Sequence, residues 1–155
     1  MESMTDQDFS ELWTNLVERD SGRRLPTLSR EERMFFAVNL LRGSVPRSGL
    51  IGYFENVTGR DIFDAHQGLT ELKLFSVLSL LQQAQAIILG DRPLPPDELP
   101  VQVLSDSLTD TEYEAAINRL DAAVRPIQER LLESDDDIWN ALCQFASGQG
   151  LKPKA

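Results

Sequence analysis

The chain has 155 residues, of which 41% are hydrophobic and 26% are charged, and its formal net charge at pH 7 is −10. This length predicts about one domain, and the composition is typical of a globular protein rather than of a disordered one. The acidic excess argues against direct binding to nucleic acid or to an anionic membrane, because both need basic surfaces.

Two further classes of protein are excluded by what the sequence lacks. Its first residues have neither the basic start nor the apolar run of a secretory signal. No uncharged apolar stretch reaches the ~18–20 residues that a membrane span requires. A single cysteine, Cys143, excludes an internal disulfide and is expected to be a reduced thiol in the core. We therefore expect a cytoplasmic protein.

Helix signals dominate the first half of the chain. Thr5 with Asp8 and Ser29 with Glu32 have the spacing of capping boxes, and apolar residues at helical spacing follow each pair. The second of these helices is predicted to end within 42–46, where a glycine and a proline occur close together.

The middle of the chain predicts further helices and one extended connection. A short helix is expected at 47–56, and a mostly helical segment at 61–90, interrupted at Gly68 and with Phe75 on its buried side. Four prolines then predict an extended connection at 91–100, because proline disfavours helix in the residue before it.

The last third predicts two or three helices. Thr109 with Glu112 forms another capping box, and Pro126 is expected either to kink that helix or to begin a new one. Ser134 with Asp137 is predicted to cap the final helix. Since no strand pattern competes, we expect an all-α fold, a compact bundle of about six to eight helices. The whole chain, 1–155, is expected to be a single domain.

The sequence contains few of the residues that catalytic and metal-binding sites use, with one histidine and one cysteine. The only histidine, His66, is expected at the surface, and nothing in the spacing places it beside Cys143. The acidic run 134–137 lacks the alternating ligands and central glycine of a calcium loop and is better explained as a helix start. No glycine-rich phosphate loop is present. We therefore expect no enzyme activity, no catalytic or metal site and no cofactor.

The acidic residues are unevenly distributed. Residues 97–155 carry twelve acidic residues against five basic ones, while arginines cluster at 19–33. If the segment after Thr109 is helical, Asp110, Glu114 and Asp121 lie within about 40° of one another and about 6 and 10 Å apart along the helix. Phosphates on one DNA strand advance by ~3.4 Å per nucleotide, so the helix presents charge at a pitch that a DNA-binding surface accepts.

The segment 44–59, SVPRSGLIGYFENVTG, resembles the hallmark of a bacterial family long described as of unknown function. In that family a polar turn is followed by glycine, a hydrophobic residue, two aromatic residues, asparagine and a closing glycine. The segment 117–131 is similar to the family's second recurring stretch, and the resemblance covers roughly 10–147. Pro46, Arg47 and Ser48 replace an asparagine-rich turn, so the chain resembles a divergent member. The matching positions are Gly49, Leu50, Tyr53, Phe54, Asn56 and Gly59.

The resemblance implies an all-helical, dimeric DNA mimic that binds a helix-turn-helix transcription regulator and keeps it from its operator. The motif residues are expected to be structural, with Gly59 supplying a turn, and the acidic residues to bind the partner. The same acidic charge also suits a second hypothesis, an immunity-type inhibitor of a basic toxin or nuclease. A third hypothesis is a carboxylate-based enzyme. The candidate partner-binding residues are Asp106, Asp110, Glu112, Glu114, Asp121, Glu133, Asp135, Asp136 and Asp137.

Overall fold

The protein is described by a computed structural model that covers residues 4–20 and 27–154. Within these two ranges the chain forms helices and no β-strand, apart from an isolated bridge between Thr58 and Pro100. The predicted all-α fold class is confirmed. The six helices are α1 (Asp6–Asp20), α2 (Arg30–Asn56), α3 (Gly59–Glu71), α4 (Phe75–Leu89), α5 (Asp110–Glu133) and α6 (Asp135–Gln149).

Capping boxes begin four of these helices. The predicted pairs at α1, α2 and α5 are confirmed, since each hydroxyl accepts from the backbone N–H three residues later and each acidic side chain accepts in return. Thr58 with Asp61 forms the same box at α3, which the sequence analysis missed. These reciprocal bonds satisfy N–H groups that a helix start otherwise leaves unpaired.

The predicted cap at α6 is wrong. The Ser134 side chain makes no capping bond, and its hydroxyl donates to the Arg130 carbonyl instead, at 2.9 Å. The backbone of Ser134 has φ −89° and ψ 3°, close to the helical region, so α5 and α6 are joined by a single residue. A capping residue needs extended backbone angles to turn its side chain onto the helix.

The predicted end of α2 within 42–46 is also wrong. The helix continues through Gly43 and Pro46 and breaks only at Gly49, which has φ 72° and ψ 177°. Proline removes one N–H but its fixed φ is compatible with a helix, whereas the conformation at Gly49 is open to glycine and strained for other residues. The break frees the N–H of Leu50, which donates to Oε1 of Gln128 on α5 at 2.9 Å.

The segment 61–90 is interrupted at 72–74 rather than at Gly68. Gly68 lies buried inside α3, where a β-carbon would approach Val38 Cγ2 of α2 to 2.7 Å. The chain instead turns at Lys73, which has φ 59°. Because this turn resets the helical phase, Phe75 begins α4 and is 58% exposed, contrary to its predicted place on the buried side.

The helices enclose one apolar core, in which α2 is central. It packs against α1, α3, α5 and α6, while α4 packs against α3 and α5. The buried residues form one continuous cluster with members from all six helices. None of the helices in the described ranges is both long and apolar enough to cross a membrane.

The connection between α4 and α5 contains no helix at 91–100, as predicted. It is tied to its neighbours by backbone bonds at both α3 and α4. The N–H of Gly59 donates to the Leu99 carbonyl, and the N–H of Val101 to the Val57 carbonyl. On the α4 side, the side-chain guanidinium of Arg92 donates to the backbone carbonyls of Ile88, Leu89, Gln102 and Val103.

Gly59 provides a test of this packing. A β-carbon at Gly59 would lie 1.8 Å from the Pro95 carbonyl oxygen, so a Gly59→Ala substitution must displace backbone. We expect a loss of roughly 1–3 kcal/mol in the free energy of unfolding, the usual cost of overpacking, measured by urea denaturation. Gly43→Ala is the control, because it is helical with open space around it and should gain up to ~1 kcal/mol. Equal effects of the two substitutions would contradict the packing described.

Candidate functional site

The first group of predicted binding residues lies where α5 begins. We call Asp106, Asp110, Glu112 and Glu114 the α5-start acids, and all four are exposed. Glu112 is partly occupied, because its Oε1 accepts from the backbone N–H of Thr109 at 3.0 Å. This bond lowers the pKa of Glu112. The other three make no ion pair within the described ranges.

The row of Asp110, Glu114 and Asp121 lies on one helix, α5, as the spacing requires. Its third member differs from the first two, because Asp121 pairs with Arg125 one turn further along. The ion pair places a positive charge on the row and offsets its C-terminal end. The i, i+4 spacing of these two residues is a sequence signal that predicts the pair.

The second group lies where α5 meets α6, and we call Glu133, Asp135, Asp136 and Asp137 the α5–α6 corner acids. Asp135 pairs with Arg42 of α2, whose Nε lies 2.9 Å from Oδ1. The guanidinium of Arg42 also lies over the Trp139 ring, 4.6 Å from its centroid. The remaining three carboxylates are exposed and unpaired in the described part of the chain.

The nine predicted residues therefore form two groups and one neutralised carboxylate, not a single patch. Asp110 and Glu133 are the first and last residues of α5, which at ~1.5 Å per residue places them about 35 Å apart along the helix. Within each group the members are separated by at most about two turns of helix or a short loop. Among the nine predicted residues, those without an ion pair in the described ranges therefore lie at the two ends of α5.

The three largest hydrophobic side chains of the motif lie in the core. Leu50, Tyr53 and Phe54 are buried, with the two rings in an edge-to-face contact at 5.2 Å between centroids. Burial raises the pKa of Tyr53 and nearby Asp61 adds to the effect, so this phenol is neutral.

Asn56 and Gly59, two further motif residues, contact backbone carbonyl groups. Nδ2 of Asn56 donates to the Gly52 carbonyl at 2.7 Å, within the last turn of α2. The turn predicted at Gly59 is wrong, because Thr58 is the capping residue and Gly59 is the first residue of α3. Gly59 is required for the close approach of the Pro95 carbonyl rather than for a positive φ.

The family model described as DMP19-like protein matches residues 26–148, most of the chain. The chain belongs to the DMP19-like family. No curated protein and no solved structure matches it. The match includes the motif at 44–59 and both groups of acids. It begins at residue 26, so α1 lies outside it, whereas the resemblance predicts coverage from about residue 10.

The two ends of the chain, outside the range matched by the DMP19-like family, meet at one buried carboxylate. Glu32 is fully buried, and its carboxylate accepts from Arg19 at 2.6 Å and lies 3.4 Å from Nζ of Lys154. Asn15 holds the backbone of Lys154 through both its amide oxygen and its amide nitrogen. Burial raises the pKa of Glu32, but the bonds from Arg19 and Ser29 and the two positive charges outweigh it and lower the pKa to about 2.

The arginine cluster at 19–33 is paired within the N-terminal half. Arg30 pairs with Glu31 at 3.9 Å and Arg33 with Asp64 at 3.7 Å. Arg23 and Arg24 lie outside the described residues. The arginines of this cluster that the structure describes therefore do not offset the charge at either end of α5.

The two side chains best suited to acid–base or nucleophilic chemistry, His66 and Cys143, lie on different helices, α3 and α6. His66 is half-buried rather than at the surface, with Nε2 buried and without a hydrogen-bond partner. Burial lowers its pKa, and neighbouring Gln85 offsets part of this effect. Cys143 is half-buried, and burial raises its pKa despite the nearby positive charge of Arg42. In the ranges that the structure covers, no three His, Cys, Asp or Glu side chains are placed to hold a metal ion.

Glu32→Gln tests the contact that joins the chain ends. Because the folded pKa of Glu32 is lowered, its stabilising effect is fully present above pH ~4.5 and is lost as the pH falls towards 2. We expect the variant to lose roughly 3 kcal/mol of unfolding free energy at pH 7, since Arg19 is left partly buried without its partner. Chemical denaturation between pH 7 and pH 2.5 should show this difference shrinking.

Glu31→Gln is the matched control, because 38% of the Glu31 side chain is exposed and its ion pair is long. We expect it to change the unfolding free energy by less than ~1 kcal/mol. A Glu32→Gln variant as stable as this control at pH 7 would refute the role assigned to Glu32.

Proposed function

We propose that this protein is a DNA mimic that binds a basic, DNA-binding transcription regulator and competes with its DNA. The observation that carries the proposal is the set of carboxylates at both ends of α5 that make no ion pair in the described ranges, while Arg19, Arg30 and Arg33 pair elsewhere. Membership of the DMP19-like family supports the same conclusion, because the resemblance implies a DNA mimic. Charge complementarity of this kind accelerates association and selects basic partners.

The spacing of the carboxylates is compatible with that of phosphates on DNA, whose place this protein would take on the regulator. Asp110 and Glu114 are about 6 Å apart along the helix, close to two nucleotide steps on one strand. The two groups of acids, about 35 Å apart, are separated by about one turn of B-DNA. Dimeric helix-turn-helix regulators read two half-sites at this separation. The proposed partner is therefore a regulator that contacts two successive turns of its operator.

The ion pairs of the structure support a choice among the predicted carboxylates. Asp121 and Asp135 are already paired with arginines, and Glu112 caps α5, so we assign them a smaller share of the interaction. The residues proposed to bind the partner are Asp106, Asp110, Glu114, Glu133, Asp136 and Asp137.

Partner capture with charge variants tests this proposal. The quadruple variant D110N/E114Q/D136N/D137N removes four unpaired charges from the two groups. An exposed pair contributes ~0.2–1 kcal/mol, so four losses should reduce affinity by about tenfold or more. The immobilised protein is exposed to lysate of its native host, and the partner is identified by mass spectrometry at low and high salt. We expect salt-sensitive capture by the unmodified protein and little capture by the variant.

The quadruple variant E11Q/E18Q/E71Q/D91N is the control, since it removes the same number of charges at exposed positions elsewhere that make no ion pair with the residues the structure describes. It should capture the partner as the unmodified protein does. Equal loss in both variants would indicate a general effect of net charge and contradict the assigned site. Capture of a toxin or nuclease would contradict DNA mimicry if added DNA did not compete with this protein for it. That result would favour an immunity-type role.

A further inference from the structure

A groove on the other side of α5 from the acidic row is an open, mainly apolar site that the proposed function does not use. It has a volume of about 470 Å³ and runs between the end of α4, the connection after it and the first half of α5. This volume is within the range of small-molecule sites, about 300–1,000 Å³. Its walls include Ile87, Leu104, Ala116, Leu120, Arg92 and Arg119.

The lining of the groove differs in charge from the rest of the molecule. Its walls are mainly apolar, and Ile87 is 38% exposed there. Its charged residues are Arg92 and Arg119, and no carboxylate lines it, although the chain carries a net charge of −10. An apolar surface with a few placed polar groups is the usual composition of a ligand site.

The two arginines have different roles. Arg92 is occupied by backbone carbonyls at the end of α4 and in the connection, so it holds one wall of the groove in place. Arg119 is exposed and makes no hydrogen bond or ion pair to any residue the structure describes. Its neighbours one turn away on α5, at 115, 116, 122 and 123, are all alanines. The helix therefore supplies no carboxylate to neutralise it.

The groove is distinct from the acidic row in position. Nine residues separate Asp110 from Arg119, which at 100° per residue places them on opposite sides of α5. A ligand at Arg119 would leave Asp110 and Glu114 accessible. Ligand binding at this groove therefore does not depend on the proposed function.

We propose that this groove binds a small amphiphilic carboxylate from solution. The aliphatic or aromatic body of the ligand lies on the apolar walls, and its carboxylate pairs with Arg119. The volume favours a small molecule over a chain segment, and the single unpaired guanidinium favours one negative charge at one end of the ligand. A guanidinium binds a carboxylate through two parallel hydrogen bonds, which fixes the orientation of the ligand.

The test uses 8-anilinonaphthalene-1-sulfonate, an aromatic anion whose fluorescence rises in apolar sites. We expect saturable binding at one site, displacement by decanoate and much weaker displacement by decanol, which lacks the charge. Arg119→Gln should weaken binding of the probe by roughly fivefold, as expected for a lost charge-assisted hydrogen bond. Ala116→Trp should abolish binding by filling the groove.

Arg130→Gln is the control, because Arg130 is exposed on the same helix but does not line the groove. It should bind the probe as the unmodified protein does, and urea denaturation establishes that all three variants are folded. Equal weakening by Arg119→Gln and Arg130→Gln would overturn the proposal. So would unchanged binding in Ala116→Trp, and a change in molar mass by light scattering in that variant would then identify the groove as an interface between two copies.

Discussion

The break in α2 at Gly49 is the constraint on which the rest of the fold depends. Helix α2 is the central element, in contact with four others, and its change of direction divides it into two arms. The N–H of Leu50, freed by the break, donates to the Gln128 side chain of α5. The same feature that redirects the central helix therefore anchors the helix that carries the proposed binding residues. The family motif surrounds this break, which explains why Leu50, Tyr53 and Phe54 are buried rather than presented to a partner.

The distribution of ion pairs connects the fold to the proposed function. Arg19, Arg30 and Arg33 near the front of the chain pair with local carboxylates, most closely at the buried Glu32. Two further arginines, Arg42 and Arg125, each neutralise one predicted binding residue on α5 or α6. The predicted binding residues that keep no ion pair in the described ranges lie at the two ends of α5. They form two exposed groups, separated by about one turn of B-DNA.

Local signals in the sequence predict most of the helices but not how they join. Capping boxes and apolar spacing predict the starts of α1, α2 and α5, because these depend on residues within one turn. The helix breaks predicted near Pro46 and at Gly68 are wrong. At both positions, packing against other helices favours a continuous helix over the local tendency of proline or glycine to end it. The Asp121–Arg125 pair is predictable from its spacing. The pairing of Asp135 with Arg42 is not, since it depends on how α2 and α6 pack.

We propose that this protein occupies the DNA-binding surface of a regulator. Fluorescence anisotropy of labelled operator DNA, bound to the captured regulator and titrated with the unmodified protein, tests it most directly. If the two ligands share one surface, anisotropy should fall to the value of free DNA, and more protein should be needed as salt rises. A rise in anisotropy, which signals a ternary complex, or a constant value at saturating protein would contradict the account.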